Sequence, residues 1–393
     1  MKKNKKGEVS VVISIDTEGP IKDKRRPEII NTWFKTKKLV NQMTNSKFRM
    51  KFKDKNNNGI IYSWFILTLT GFKTNPFRRP MKYNQTYNFY NDNFSKNFMK
   101  YNDEIYWHYH QPAKSGVGNE WSRDWNISQE YINILNRLII DKNFFPSCFR
   151  AGGRIEDNDL SNWLENYIPF DYSNCSGKIN WNRIESDGKK LKDVADWSKA
   201  PISWIGYHPD KDDYQKVGDQ KRYMFRCMDL KSPVYDIKDS DIEQAFKTAE
   251  SGNNAILSVF EHDRRFIALD NIIDFCRRVY EISKKYPKIK WLYKNAKDAA
   301  LNQKKIKKIG PPKFKMKMLK ENRIMITTDD NIFGINPYTC VKQEKKYFEI
   351  NLMKSGLNKW ISSPILLKGN IEFFVVANNN SGNSLVQHKK FNI

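Results

Sequence analysis

At 393 residues the chain is longer than one typical domain and long enough to bury a full hydrophobic core. Lys and Arg total 69 against 44 Asp and Glu, a formal charge of +25. The lysines are scattered with asparagine along the whole chain and carry no RNA- or DNA-binding signature, so no specific nucleic-acid partner is expected, though the charge admits nucleic acid as well as peripheral contact with an anionic membrane. The five cysteines form no Cys-x-x-Cys pair and read as reduced thiols of a cytoplasmic protein. The apolar run Val9–Ile15 is too short for a signal-peptide core, and none approaches the roughly 18 residues of a transmembrane helix.

Taken in order, Val9–Ile15 is apolar and β-branched and reads as a buried first strand, ending on Asp16-Thr17-Glu18-Gly19-Pro20. A helix is expected near Thr32–Met43 and a second buried strand over Ile60–Leu67. Residues 71–100 form a long aromatic- and Asn-rich excursion, expected to pack against the body. Asp103–His108 is the third strand and delivers Trp107-His108-Tyr109-His110. On a strand, residues two apart share a face, so His108 and His110 aim two imidazoles at one point. Ser128 is the expected N-cap of a helix over Gln129–Asp141. Pro146–Arg150 reads as a strand, Asp159 as the cap of a helix through Tyr167, and Pro169–Ser173 as the next strand. Pro201–Tyr207 reads as a strand ending on His208. Ser240 or Asp241 opens a helix to Glu250, Ala255–Phe260 is a buried strand ending on Glu261-His262-Asp263, and Leu269–Lys285 is an amphipathic helix. Trp291–Tyr293 is a last short strand before a helix at Ala296–Leu301.

Strands alternating with helices imply a parallel α/β sheet or barrel over residues 1–304. Residues 305–318, basic and carrying Gly310-Pro311-Pro312, read as a linker. Residues 319–393 hold short β-rich runs (Arg323–Thr328, Tyr347–Leu352, Ser363–Leu367, Ile371–Ala377) and read as a small all-β, sandwich-like domain.

The polar groups expected at strand C-termini are Asp16, Glu18, His108, His110, Arg150, Asp171, His208, His262 and Asp263. In a (β/α) barrel these ends surround one mouth. A carboxylate with two histidines is the ligand set of a hydrolytic divalent-metal site, and a further carboxylate and histidine suit base and acid.

These stretches resemble, in the family's order, the motifs of the polysaccharide deacetylase family, the NodB-homology carbohydrate esterases. The resembling stretches are Ser14-Ile15-Asp16-Thr17-Glu18-Gly19, His108-Tyr109-His110, Phe149-Arg150-Ala151-Gly152-Gly153, Phe170-Asp171-Tyr172-Ser173 and Leu257–Asp263. The resemblance implies a distorted (β/α) barrel and metal-dependent removal of an acyl group, usually acetyl, from a sugar or glycan precursor. By motif position Asp16 resembles the catalytic base, Glu18 with His108 and His110 the metal ligands, Arg150 the group that positions the base, and His262 the general acid. Asp171, Ser173 and Ala151 are the implied substrate contacts, with the Ala151 backbone N–H facing an oxyanion; His208, outside the motifs, is a further candidate contact from its expected strand-end position, beside a structural role. The implied metal is Zn²⁺, with Co²⁺, Mn²⁺ or Ni²⁺ as substitutes. The expected cytoplasmic setting and the basic charge suit an anionic surface-glycan precursor, such as a nucleotide- or lipid-linked sugar, as the substrate. The inserted Thr17 leaves open which of Asp16 and Glu18 meets the metal, and the His-x-His spacing is shorter than the family's usual one. An inactive glycan-binding or partner-binding domain is the competing reading.

Overall fold

The computed structural model describes residues 6–23, 28–69, 72–76, 78–79, 83–118, 120–175, 196–231 and 236–393, with the backbone of 183–184 and 190–191. Strand β1 (Glu8–Thr17) is followed by α1 (Trp33–Thr44), one turn α2 (Ser46–Arg49), β2 (Tyr62–Leu67), α3 (Gln85–Tyr101), β3 (Glu104–Tyr109), α4 (Glu130–Lys142), β4 (Cys148–Ala151), α5 (Asn158–Glu165) and β5 (Phe170–Asn174). A hairpin pairs β6 (Arg183–Ile184) with β7 (Lys190–Leu191). Then come β8 (Tyr223–Arg226), β9 (Met228–Asp229), α6 (Asp239–Glu250), β10 (Ala255–His262), α7 (Ala268–Ser283), β11 (Lys290–Tyr293) and α8 (Ala296–Lys304).

Eight strands lie side by side, all parallel, in the order β8-β5-β4-β3-β2-β1-β10-β9. Only Cys227 separates β8 from β9, so one stretch of chain pairs with β5 at one end of the sheet and β10 at the other, and the barrel nearly closes. Strand β11 pairs with the first residues of β1, on the edge that β2 takes further along.

The period of two sorts the side chains into two layers. Odd residues of β1 (Val9, Val11, Ile13, Ile15) pack outward against helix residues such as Ile272 and Val279. Even ones point into the barrel, where Val12 meets Phe65, Tyr106, Cys148, Tyr172, Phe225 and Phe260. Burying each such aromatic is worth about 1.5–3 kcal/mol, and together they fill the lumen. Helix α8 closes the N-terminal end: small Ala296, Ala299 and Ala300 fit against this cluster, and the Tyr172 hydroxyl donates to the Ala296 carbonyl at 2.6 Å. The opposite, C-terminal end is where the polar groups collect.

Several local expectations change. Residues 85–101 of the aromatic excursion are helix α3, whose Tyr90, Phe94 and Phe98 make a buried stripe at spacing four; residues 71, 77 and 80–82 of that excursion lie outside the described ones. Asp157, not Asp159, caps α5, accepting from the Leu160 N–H at 2.8 Å. Ser128 sits one residue before the cap of α4, though its hydroxyl accepts from the Glu130 N–H at 3.2 Å. Pro201–Tyr207 is no strand: it carries a single antiparallel bridge, Tyr207 to Met224, and the barrel strand is β8.

The C-terminal part holds two four-stranded antiparallel sheets. One is β12 (Phe314–Met318), β13 (Ile324–Thr328), β17 (Lys359–Ser362) and β16 (Leu352–Gly356), in that spatial order. The other is β15 (Lys346–Glu349), β14 (Tyr338–Gln343), β18 (Asn370–Val376) and β19 (Gln387–Asn392). The end of the expected linker is therefore strand β12, paired with β13. Ile324 and Ile326 of the first sheet share a core with Val341, Phe373 and Val375 of the second. The outer face of the second sheet, through Tyr338, Cys340, Phe374 and Val376, joins the apolar cluster of α4. The Tyr338 hydroxyl donates to Asn136 Oδ1 at 2.8 Å, so the sandwich is docked on the barrel side away from the mouth residues of β1 and β10.

Candidate active site

Strand register decides which side chains meet. Asp16 lies beside His262 across β1–β10, and His108 beside Arg150 across β3–β4. All four are even-numbered and point into the lumen at the C-terminal end. His110 and Glu18 continue the same faces just past their strands. All six are buried.

Gly19, at φ 66°, turns the chain so that the Glu18 and Gly19 N–H groups both donate to Asp263, at 2.9 Å and 3.1–3.2 Å. The Tyr90 hydroxyl donates to the same carboxylate at 2.8 Å. Asp263 thus fixes the turn that presents Glu18. His108 Nδ1 lies 2.9 Å from the Arg150 carbonyl; donation there leaves its Nε2 lone pair facing inward. His110 Nε2 sits 3.2 Å from His108 Nε2 and 3.7 Å from Glu18 Oε1. His262 Nε2 approaches the same oxygen to 3.5 Å. The other Glu18 oxygen takes Arg79 at 2.8 Å and also Arg264. Arg150 Nε donates to both Asp16 oxygens at 2.9 and 3.0 Å, and its guanidinium also donates to the Tyr172 carbonyl at 2.7 Å while lying on Phe260.

The electrostatics follow. Burial pushes the Asp16 carboxyl up, but Arg150, His108 and His262 outweigh it and the net shift is down. Burial likewise raises Glu18, and Arg264 with Arg79 overcome it, holding Glu18 well below the usual range. Both carboxylates are therefore ionised. Desolvation keeps His108 neutral, its pKa lowered despite Asp16 and Glu18, and takes His110 down to about 3. His262 goes the other way: burial and Arg265 lower it, but Glu18 and Glu261 raise it further. The cluster holds two neutral imidazoles, two carboxylates and one imidazole, His262, whose proton affinity is raised.

Glu18, His108 and His110 offer three ligand atoms within 4.8 Å of one another. Two nitrogens at about 2.0–2.1 Å from a tetrahedral ion stand about 3.3 Å apart, close to the 3.2 Å between the two Nε2 atoms. The donor set thus fits a divalent cation in type and spacing, with Glu18 rather than Asp16 as its carboxylate. Two features weigh on the other side. Arg79 and Arg264 already neutralise Glu18, and His110 Nδ1 is buried with no hydrogen-bond partner among the described residues, whereas a ligating histidine usually donates its second N–H.

Four expected substrate contacts do not reach the site. Asp171 and Ser173, odd-numbered on β5, face outward: Asp171 pairs with Arg222 at 3.0 Å, and the Ser173 hydroxyl accepts from the Ala151 N–H at 2.8 Å. The Ala151 N–H is therefore committed and offers nothing to an oxyanion, and the Ala151 side chain packs in the outer apolar layer. His208 lies against Tyr223, the first residue of β8, at the N-terminal end of the barrel, with its Nδ1 3.1 Å from the Arg222 carbonyl. Sequence parity along Phe170–Ser173 was enough to exclude Asp171 and Ser173; His208 was misplaced because its strand does not exist. The groups missed are Arg79, Arg264 and Trp121, whose ring centroid is 4.2 Å from that of His110; Gly152, within the Arg150 motif, lies hard against the His110 ring. Arg264 adjoins the His262-Asp263 motif in sequence, while Arg79 and Trp121 come from loops that carry no local signal.

No family model and no curated protein matches the chain. Among solved structures, an alpha-L-fucosidase GH29 from Bacteroides thetaiotaomicron, trapped as a covalent intermediate, aligns at 11% identity and a TM-score of 0.31 over 97% of this chain and 94% of its own. A second structure of an alpha-L-fucosidase GH29 from the same organism gives 9% identity and a TM-score of 0.26, over 98% and 93%. A chitinase from Bacillus thuringiensis gives 8% and 0.19, over 92% and 68%. Likenesses of this size leave the function to be read from the site itself.

Proposed function

We propose that the chain is a metal-dependent hydrolase of the polysaccharide deacetylase type, removing an N- or O-acyl group, acetyl above all, from a sugar or glycan precursor, a nucleotide- or lipid-linked sugar of surface-polysaccharide biosynthesis. The observation that carries this reading is the convergence of Glu18, His108 and His110 on one point beside the Asp16–Arg150 pair. Glu18, His108 and His110 would hold a divalent ion, Zn²⁺ first, which would supply Lewis acidity and a nucleophilic water at neutral pH. Asp16, held ionised and aimed by Arg150, accepts a proton from the attacking water. His262, its pKa raised by Glu18 and Glu261, returns a proton to the leaving amine or alkoxide.

A second reading rests on a specific observation. With Arg79 and Arg264 on Glu18, the carboxylate is compensated with no ion present, as expected of an inactive domain that binds a glycan or a protein partner. Metal analysis separates the two. The first reading expects about one divalent ion per chain, lost in His108→Ala and His110→Ala, with acetate released from acetylated aminosugars and that release falling roughly 10²–10⁴-fold in Asp16→Asn while metal is retained. Full metal occupancy in both histidine variants refutes the site. No metal in the wild type, even after adding Zn²⁺ or Co²⁺, selects the second reading.

A further inference from the structure

Beside the mouth of the barrel, the loop after β10 and the chain leading into α1 run together: the Ile30 N–H donates to the Arg264 carbonyl at 2.7 Å, and Ile29 bridges Arg265. Three large apolar side chains stand in solvent here, Phe34 at 78% exposure, Ile267 at 49% and Phe266 at 47%. Below them a groove of about 1050 Å³ opens between α1, α2 and the start of α7, with Phe34, Phe48 and Leu269 in its wall. Its cations are Lys37, Lys38, Lys47 and Lys51, and its remaining lining residues are asparagines and a glutamine, with no carboxylate among the described lining residues. Lys35 adds a fifth ammonium over the Phe266 ring at 5.7 Å. Acids nearby include Glu28, whose carbonyl accepts from the Phe266 N–H, Asp270 in the first turn of α7, and Asp229 and Glu261, both ion-paired with Arg265 at 3.4 and 3.1 Å.

We infer that this face is a peripheral docking surface for an anionic bilayer. Charge complementarity carries the argument: exposed apolar residues enter the headgroup region while ammonium groups flanking them meet lipid phosphates. Either alone is ordinary on a chain of charge +25; their coincidence on one face is the signal. Nucleic acid fits less well, because Ile267 and Leu269 gain from hydrocarbon and cannot stack on bases. Docking here brings the loop after β10 and the α1 flank of the barrel to the membrane surface, and it stands whether or not the site at Glu18 is a deacetylase.

Co-sedimentation with vesicles tests it, using phosphatidylcholine alone and phosphatidylcholine mixed with phosphatidylglycerol. The full chain binds the mixed vesicles, binding weakens with salt, and the neutral vesicles are left in solution. Lys37→Gln with Lys38→Gln lowers the partition coefficient about 25-fold, roughly fivefold per lysine. Phe34→Ser with Phe266→Ser, which alters no charge, lowers it severalfold. Lys315→Gln with Lys317→Gln on exposed positions of β12 is the control and changes it less than about twofold. The inference is overturned if the control loses as much as the Lys37/Lys38 pair, if the phenylalanine variant binds like wild type, if neutral vesicles bind equally, or if single-stranded RNA competes the protein off the vesicles in a manner abolished by the same lysine changes alone. Thermal melts confirm that the variants, all at exposed positions, remain folded.

Discussion

Gly152→Ala is the sharpest probe of the site, because it acts on one imaginable atom. A Cβ built at Gly152 falls 2.2 Å from both Cγ and Cδ2 of His110 and 2.7 Å from its Nδ1. Ordinary contact begins near 3.4 Å, so the ring has to retreat by about 1.2 Å. The backbone at Gly152 has no positive φ, so alanine itself is not strained there, unlike at Gly153 with φ 61°. Overpacking of this kind costs about 1–3 kcal/mol in urea-induced unfolding. Ligand positions tolerate about 0.2 Å, so the displaced imidazole also loses its place next to His108, and metal affinity falls by at least the 10–100-fold typical of a disturbed supporting residue. The assay is a double-mutant cycle. In a His110→Ala background the extra methyl has room, so the stability cost of Gly152→Ala shrinks toward zero and the metal affinity, already lost, does not change further. An equal cost of Gly152→Ala in both backgrounds would falsify the steric argument, and an unchanged metal affinity in the single variant sinks the ligand role of His110.

Three further outcomes are expected. Asp103 accepts from Arg49 at 2.6 and 2.8 Å, from the Tyr62 N–H at 2.9 Å and from Trp64 Nε1 at 2.9 Å, tying α2 to β2 and to the start of β3. Asp103→Ala strands a buried guanidinium and lowers the unfolding free energy by about 3–5 kcal/mol; a loss under about 1 kcal/mol contradicts this. Arg222 faces two buried carboxylates, Glu156 at 2.5 Å and Asp171 at 3.0 Å, and burial with the Asp171 charge pushes Glu156 up to about 8. A carboxyl raised in the fold binds its proton more tightly there, so its stabilising effect is complete below about 4.5 and is lost as pH climbs toward 8. Thermal melts across that window therefore decline more steeply for wild type than for Glu156→Gln; parallel curves refute the assignment. Finally, Arg79→Gln removes one cation from Glu18 and tightens metal binding on the order of tenfold by calorimetry, and weaker binding would show that Arg79 instead holds Glu18 in its ligating pose.

Much of this was legible in the chain because it is local. Val9–Ile15 and Ala255–Phe260 are buried on both faces and mostly apolar, with only serines breaking the runs, as suits strands between a filled lumen and a helical layer, and both are central strands. Alternation alone placed His108 and His110 on one face, and the carboxylates of Asp16-Thr17-Glu18 at a strand end. Alternation also argued against Asp171 and Ser173, since Phe170 and Tyr172 fill the lumen between them. What sequence could not supply is long-range. Arg79 and Arg264 reach Glu18 from residues 61 and 246 positions away, and Ser173 takes the Ala151 N–H across a strand pair. Strands of four residues, such as β8, carry too few alternations to be distinguished from loop, so Pro201–Tyr207 was favoured over it and His208 was carried to the wrong end of the barrel. Pattern fixes which face a side chain is on; only tertiary packing decides what stands opposite it, and at Glu18 two arginines stand there beside two histidines.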